Sequence, residues 1–154
     1  MLGFFGVASA ASTAGERACL IVESHRGGAI LATFAFADAA PPRFTIAFEH
    51  SVLGTTVHDH YEWRTHDGAG AAWLLEERFR GEGYGLPHTA AEGEQLVRNG
   101  DDWQLQLNRK VEPLVVRPLR AQSMRLSIEG KEFLLAQFNA NNSEAAQLLR
   151  FSRC

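Results

Sequence analysis

The chain has 154 residues, a hydrophobic fraction of 45%, a charged fraction of 21% and a formal net charge of -3. This length and composition are typical of one globular domain that buries its own core. The negative charge gives no indication of a nucleic-acid-binding face, and no apolar run reaches the length of a transmembrane helix.

The first residues form a short apolar run followed by small residues. Leu2–Val7 precedes Ala8-Ser9-Ala10, which is the order of the hydrophobic and cleavage regions of an export signal. A basic region before the run is missing, because the first Arg is Arg17. Residues 1–17 are therefore interpreted as the remnant of an export signal or as a disordered tail, and residues 18–154 as a single β domain.

Apolar residues along the rest of the chain come in short runs separated by Gly, Asp and Asn clusters, and helical periodicity is nearly absent. Helical turns are predicted only at Ala90–Gln95 or Ser143–Gln147. About ten short strands in one domain predict an antiparallel sandwich or barrel, because an open sheet of that size tends to curl or split. The predicted strands are Cys19–Glu23, Ala29–Phe36, Phe44–Val52, Val57–Trp63, Trp73–Arg80, Gln95–Arg98, Trp103–Leu107, Leu114–Arg117, Met124–Ile128, Phe133–Phe138 and Gln147–Phe151.

Two cysteines lie near opposite ends of the predicted domain, at Cys19 and Cys154. No Cys-x-x-Cys pair is present, which argues against a zinc or thioredoxin-like site. The first and last strands of β domains often lie side by side, so a disulfide is one interpretation. It would stabilise the fold by about 4–5 kcal/mol in the chain-entropy model. The other interpretation is two unpaired thiols.

The segment Phe44–Trp63 predicts a hairpin with a loop at residues 53–56. Because side chains alternate between the faces of a strand, His50 and Asp59 each belong to the mostly apolar face. A four-residue loop would place them directly opposite each other. Each is costly to bury alone and less costly as a hydrogen-bonded pair. The pair is interpreted either as a polar contact at a pocket floor or catalytic base, or as a structural pair that fixes the register.

His58 and His60 lie two residues apart on the opposite face of the same strand. Alternation places their imidazoles about 7 Å apart on one side of the sheet, a spacing that metal sites use. A third ligand at a defined spacing is not evident. The pair is therefore a weak candidate for a metal site, and an ordinary solvent-facing pair is the alternative.

The segment Glu76–Pro87 is the second informative stretch. Glu76 and Arg78 share a strand face and are predicted to pair, either exposed or lining a site. Glycines at alternate positions after them predict backbone with positive φ or a close approach to another group. A dinucleotide-binding loop is excluded because no helix follows. The segment is a bulged strand end, or a loop that lines a pocket with the ring of Tyr84.

Catalytic patterns are weak. Ser51 follows His50, but alternation points it to the other face, and no Gly-x-Ser-x-Gly motif is present. The terminal Cys154 is a poor nucleophile candidate. The sequence therefore predicts no enzymatic activity and no cofactor.

At these same residues the sequence resembles a bacterial domain family of unknown function, whose members are commonly encoded beside the membrane subunits of TAXI-type TRAP transporters. The resemblance extends from about Cys19 to Phe151. Its most specific elements are His50-Ser51-Val52 and Gly83-Tyr84-Gly85-Leu86-Pro87. The residues carried over by motif are His50, Ser51, Asp59, Glu76, Arg78, Gly83, Gly85 and Pro87.

The chain departs from that family at three points. The family usually has Glu at the position of Asp59 and Ala at that of Tyr84. The N-terminal membrane segment of many relatives is missing or truncated here, which leaves membrane anchoring open. The resemblance implies a periplasmic or membrane-proximal protein with an auxiliary role in solute uptake.

Three functional hypotheses follow. The first is a non-enzymatic binding or accessory module for TRAP-type uptake, which contacts a membrane subunit or a solute-binding protein and binds a small organic acid. Its ligand-binding residues would be His50, Ser51, Asp59, Glu76, Arg78 and Tyr84. The second is a small β-barrel hydrolase or metal-dependent enzyme that uses His50, or His58 with His60. The third is a purely structural interaction domain.

Overall fold

The computed structural model describes residues 17–37, 41–66 and 69–154, so the predicted signal remnant or tail lies outside the described residues except for Arg17. The described chain is almost entirely β-structure with three short 3-10 helices, at Arg120–Gln122, Leu135–Phe138 and Ala140–Asn142. The strands are β1 (Ala18–Ser24), β2 (Ile30–Ala35), β3 (Arg43–Glu49), β4 (Thr56–His66), β5 (Ala69–Arg80), β6 (Gln95–Asn99), β7 (Asp102–Val111), β8 (Leu114–Val116), β9 (Arg125–Ile128), β10 (Lys131–Leu134) and β11 (Gln147–Arg153).

Two antiparallel sheets face each other, which confirms the all-β prediction and makes the fold a sandwich. The small sheet has the strand order β2-β1-β11-β8, and the large sheet has the order β10-β9-β3-β4-β5-β7-β6. The core forms between them from side chains that are almost fully buried. They include Leu20 and Val22 of the small sheet and Ile46, Leu105 and Leu126 of the large one.

Sequence and structure differ after β10. The predicted strand Phe133–Phe138 is wrong beyond Leu134, where the chain turns into a 3-10 helix that buries Leu135. The buried Gln147 stabilises this turn, because its amide Nε2 donates to the Leu135 carbonyl at 2.8 Å and to the Asn139 side-chain oxygen at 2.9 Å. The helices predicted at residues 90–95 and 143–147 do not form.

The two cysteines form a disulfide, so the first of the two interpretations holds. β1 and β11 are neighbours in the small sheet, and Cys19 lies opposite Ser152 in their register. The Cα atoms of Cys19 and Cys154 are 5.2 Å apart, and the bond spans 135 residues of sequence.

Both ends of the described domain lie at one end of the sandwich. Ala18 pairs with Arg153, and Trp63 of β4 borders the same groove as Ala18. The loops at residues 50–55 and 81–94 lie at the opposite end, because they follow β3 and β5 where β4 begins. The stretch of β4 between the two ends measures roughly 23 Å at the usual rise per residue.

Candidate functional site

The β3–β4 hairpin has the predicted faces but not the predicted register. Ile46, not His50, lies opposite Asp59, and Phe48 lies opposite Val57. The strand ends at Glu49, so His50 belongs to a six-residue loop at positions 50–55. Since His50 is four residues beyond Ile46, it lies about 13 Å along the strand direction from the level of Asp59. The predicted His50–Asp59 pair is therefore wrong.

The side chain of His50 explains why β3 ends early. Its Nδ1 accepts the backbone N–H groups of Val52, at 3.3 Å, and Leu53, at 3.2 Å. This is the arrangement by which Asn or Asp closes a turn on itself, and it bends the chain out of the ladder. The other nitrogen, Nε2, donates to the carbonyl of Tyr84 at 3.1 Å. These contacts fit the tautomer in which Nε2 carries the proton and Nδ1 accepts.

The glycine-rich loop after β5 meets the His50 loop. Gly83, Tyr84 and Gly85 have φ angles of 81°, 54° and 90°, so three successive residues are left-handed, and the prediction of positive φ is confirmed. This curl presents the Tyr84 carbonyl to His50 and leaves the Tyr84 ring 69% exposed. Leu86 then returns to the core and is buried.

A cavity of about 240 Å³ lies where the two loops meet the open end of the sandwich. Its wall combines apolar side chains with polar groups, and Glu77 contributes a carboxyl. Ser51, which was expected to face away, follows the loop and lines the cavity with His50. The lining residues are Phe48, His50, Ser51, Val57, Glu77, Phe79, Tyr84, Gly85, Leu86, Pro87 and Gln122.

Asp59 and Glu77 are directly opposed on the core-facing side of β4 and β5. Burial raises the pKa of Asp59 to about 7, and the charge of Glu77 contributes to that rise. Burial also raises the pKa of Glu77, against the lowering effect of Arg109. One oxygen of Asp59, Oδ1, is buried without a hydrogen-bond partner among the described residues. Two carboxyl groups thus lie side by side in a largely apolar region.

Glu76 and Arg78 lie on the outer face of the large sheet. The guanidinium of Arg78 donates to the Glu76 carboxylate, which confirms the predicted pair. The same carboxylate accepts from Gln104 and lies 3.8 Å from Nε2 of His60. The six predicted ligand-binding residues are therefore divided: His50, Ser51 and Tyr84 line the cavity, Asp59 is adjacent to its Glu77, and Glu76 and Arg78 face the other side of the sheet.

Comparison with protein families identifies the segment that contains this cavity. Residues 44–135 match the family described as a domain of unknown function, DUF1850. The chain belongs to the DUF1850 family. No curated protein and no solved structure matches the chain.

The DUF1850 segment includes almost the whole of the large sheet, from β3 to β10. It also contains both loops of the cavity, whereas β1, β2 and β11 of the small sheet lie outside it. The family segment therefore supplies every side chain of the cavity lining.

His58 and His60 share the outer face as predicted, with ring centroids 6.4 Å apart. The Nδ1 of His60 is hydrogen-bonded to the Thr45 hydroxyl at 2.8 Å. Burial lowers the pKa of His60, although Glu76 acts in the opposite direction. No group of three or more His, Cys, Asp or Glu side chains within the described ranges is arranged to bind a metal ion. None of the helices in that part of the chain is long and apolar enough to cross a membrane.

Glu77 is the residue of the cavity that sequence reasoning missed. A signal for it was present, because Glu77 lies two residues before the buried Phe79 and so shares its face. A β-bulge between Leu74 and Glu76 hides this periodicity further back along β5. Leu74 and Glu77 are three residues apart, a separation that would put them on opposite faces of a regular strand. Because of the bulge, both face the core.

Proposed function

We propose that this protein is a non-enzymatic binding module that acts as an accessory component of TAXI-type TRAP solute uptake. The observation that supports this most is the meeting of two distant motif segments at one cavity. The loop that begins with His50-Ser51-Val52 and the Gly83–Pro87 loop are joined by the His50–Tyr84 hydrogen bond and close over 240 Å³ of space. Pre-formed concave cavities are the usual form of small-molecule sites.

The hydrogen bonds of His50 support binding over catalysis. Both ring nitrogens are occupied by backbone groups of the two loops. A general base needs a free nitrogen aimed at the proton it removes. His50 therefore holds the two loops together and shapes the cavity.

The proposed location is periplasmic or membrane-proximal. Disulfides form and persist in oxidising compartments, and the Cys19–Cys154 bond is compatible with such a place. The proposed partner is a TRAP membrane subunit or a solute-binding protein. Two exposed apolar side chains near the cavity, Val52 at 60% and Tyr84 at 69% exposure, supply the surface for it.

Co-purification with the transporter tests this function. The protein is expressed with the membrane subunits and the solute-binding protein of a TAXI system, cross-linked in cells and purified by a tag. We expect a transporter subunit to co-purify, and expect Val52→Asp and Tyr84→Asp to reduce its recovery. Val115→Asp is the matched control, since Val115 is an exposed valine of the small sheet. Recovery of no transporter subunit with the native protein would contradict the proposal.

A further inference from the structure

The wall of the cavity combines apolar and polar surface. Phe48, Val57, Phe79 and Leu86 contribute hydrocarbon and aromatic surface, Ser51 and Gln122 contribute uncharged polar groups, and Glu77 contributes the carboxyl. No Lys or Arg is among the residues that line the cavity. A carboxyl without such a cation beside it argues against the small organic acid of the first hypothesis.

The carboxyl of Glu77 is half-buried and, within the described residues, has neither a hydrogen bond nor an ion pair with another side chain. Arg109, the cation that acts on it, is bound to Glu94 by hydrogen bonds of 2.7 and 3.0 Å. The carboxyl of Asp59 faces it from β4. A carboxylate that is partly desolvated and lacks a counter-charge is unfavourable, and a bound cation would relieve that cost.

We propose that this cavity binds a small organic cation, with its ammonium group at Glu77 and a short apolar body against Phe48 and Phe79. The inference deepens the proposed binding function and rests on it. The volume of 240 Å³ is below the roughly 300–1,000 Å³ of pockets for drug-sized ligands, so the ligand is a small metabolite. The aromatic rings favour a cation as well, because their faces are electronegative.

The charges around Glu77 give binding a defined pH dependence. They are Asp59 on β4, Arg109 on β7 and Glu94 before β6, and the other titratable groups nearby are the uncharged phenol of Tyr61 and the imidazole of His50. Burial raises the pKa of Glu77 and that of Asp59, so part of the negative charge is absent below neutral pH. An ammonium ligand needs the ionised form. Its affinity therefore increases as the pH rises through the range in which Glu77 and Asp59 lose their protons.

Calorimetric titration of the full-length protein with three probes of one carbon skeleton tests the ligand class. Isoamylamine carries the ammonium group, isovalerate a carboxylate and isoamyl alcohol neither charge. We expect isoamylamine to bind most tightly, and expect Glu77→Gln to weaken it by roughly tenfold to a hundredfold, the range for a hydrogen bond to a charged group. Glu76→Gln is the matched control, because it changes the adjacent carboxyl on the outer face. Its affinity for isoamylamine should equal that of the native protein.

Three results would overturn the inference while leaving a binding function in place. The first is tighter binding of isovalerate or the alcohol than of the amine. The second is equal amine affinity in the native protein and in Glu77→Gln, with folding of both verified by thermal unfolding. The third is an amine affinity of the native protein that does not rise with pH. Absence of binding for all three probes, together with failure of transporter co-purification, would instead remove the proposed function itself.

Discussion

Asp59 and Glu77 lie directly opposite each other on neighbouring strands, on the face of the large sheet that is turned toward the core. Their strand neighbours on that face include Ile46 opposite Asp59 and Leu105 opposite Glu77, both almost fully buried. A hydrophobic core rarely contains two adjacent carboxyl groups without cationic partners. The stability and the binding chemistry of the protein should therefore both depend on this pair.

Asp59→Asn should stabilise the protein increasingly as the pH rises. The pKa of Asp59 is raised from its ordinary 3.8 to about 7 in the folded state, so its contribution to stability is fully present below about pH 4 and is lost as the pH rises through about 7. The amide of the Asp59→Asn variant does not ionise in this range, so the variant keeps this contribution to stability. The gain in unfolding free energy over the native protein should approach about 4 kcal/mol above pH 7, which is the free-energy equivalent of the difference between the two pKa values. Urea denaturation from about pH 4 to about pH 8 measures this, and parallel stability curves for the two proteins would contradict it.

His50 variants should separate the two roles of its ring. Asn places an oxygen near the position of Nδ1 and keeps the bonds from Val52 and Leu53, whereas Gln places an amide near Nε2 and keeps only donation to the Tyr84 carbonyl. We expect His50→Ala to lose about 1–2 kcal/mol of unfolding free energy and His50→Asn to lose less than His50→Gln. Chemical denaturation provides the comparison. Equal losses for Asn and Gln would show that closure of the 50–55 loop does not depend on Nδ1.

Gly85→Ala should destabilise the loop through its backbone alone. Gly85 has a φ of 90°, and a Cβ there would meet nothing within 4 Å, so the effect is strain and not a steric clash. We expect a loss of about 1–3 kcal/mol or a locally opened loop. Gly27→Ala is a suitable control, because Gly27 is also in a turn, has no positive φ and would bring Cβ into ordinary contact with Ser24. Hydrogen exchange at residues 83–86 would report opening, and unchanged protection and stability would refute the prediction.

Reduction of the Cys19–Cys154 bond should lower stability without changing the fold. The bond closes a loop of 135 residues, for which the chain-entropy model gives about 4–5 kcal/mol. Urea midpoints of the oxidised protein, the reduced protein and Cys154→Ser would measure the loss. The serine variant should match the reduced protein and should not respond to reductant. A response of the serine variant to reductant would assign the effect to something other than this bond.

The fold could be predicted because two signals can be read from short segments of sequence. They are the alternation of side chains between the faces of a strand and the residue types that form turns. The predicted strands Gln95–Arg98 and Trp103–Leu107 flank Asn99-Gly100-Asp101-Asp102, which is a strong hairpin signal, and Asn99 and Asp102 are paired across Gly100 and Asp101. The faces of β3 and β4 were also correct, with Ile46 and Asp59 both facing the core. A side-chain period of two residues survives small errors in strand ends, which is why faces were more predictable than strand lengths.

The cavity was less predictable because it depends on contacts between distant residues. The hydrogen bond between His50 and Tyr84 spans 34 residues, and nothing local in the sequence indicates that the imidazole closes its own loop. An apolar Val52 after His50 favours continuation of the strand by pattern alone. The carboxyl of Glu77 needed the bulge in β5 to be located before its face was certain. The residue types of the site were visible in the sequence, but their arrangement was set by tertiary contacts.

Because β11 ends beside the start of β1, the C-terminal Cys154 lies at the far end of the sandwich from the cavity. An affinity tag or a surface tether joined to Cys154 would hold the domain with its two loops pointing outward. Protein immobilised in this way should therefore bind the proposed ligand and the proposed partner as tightly as free protein does. The same orientation would extend the cavity end of the domain away from its point of attachment.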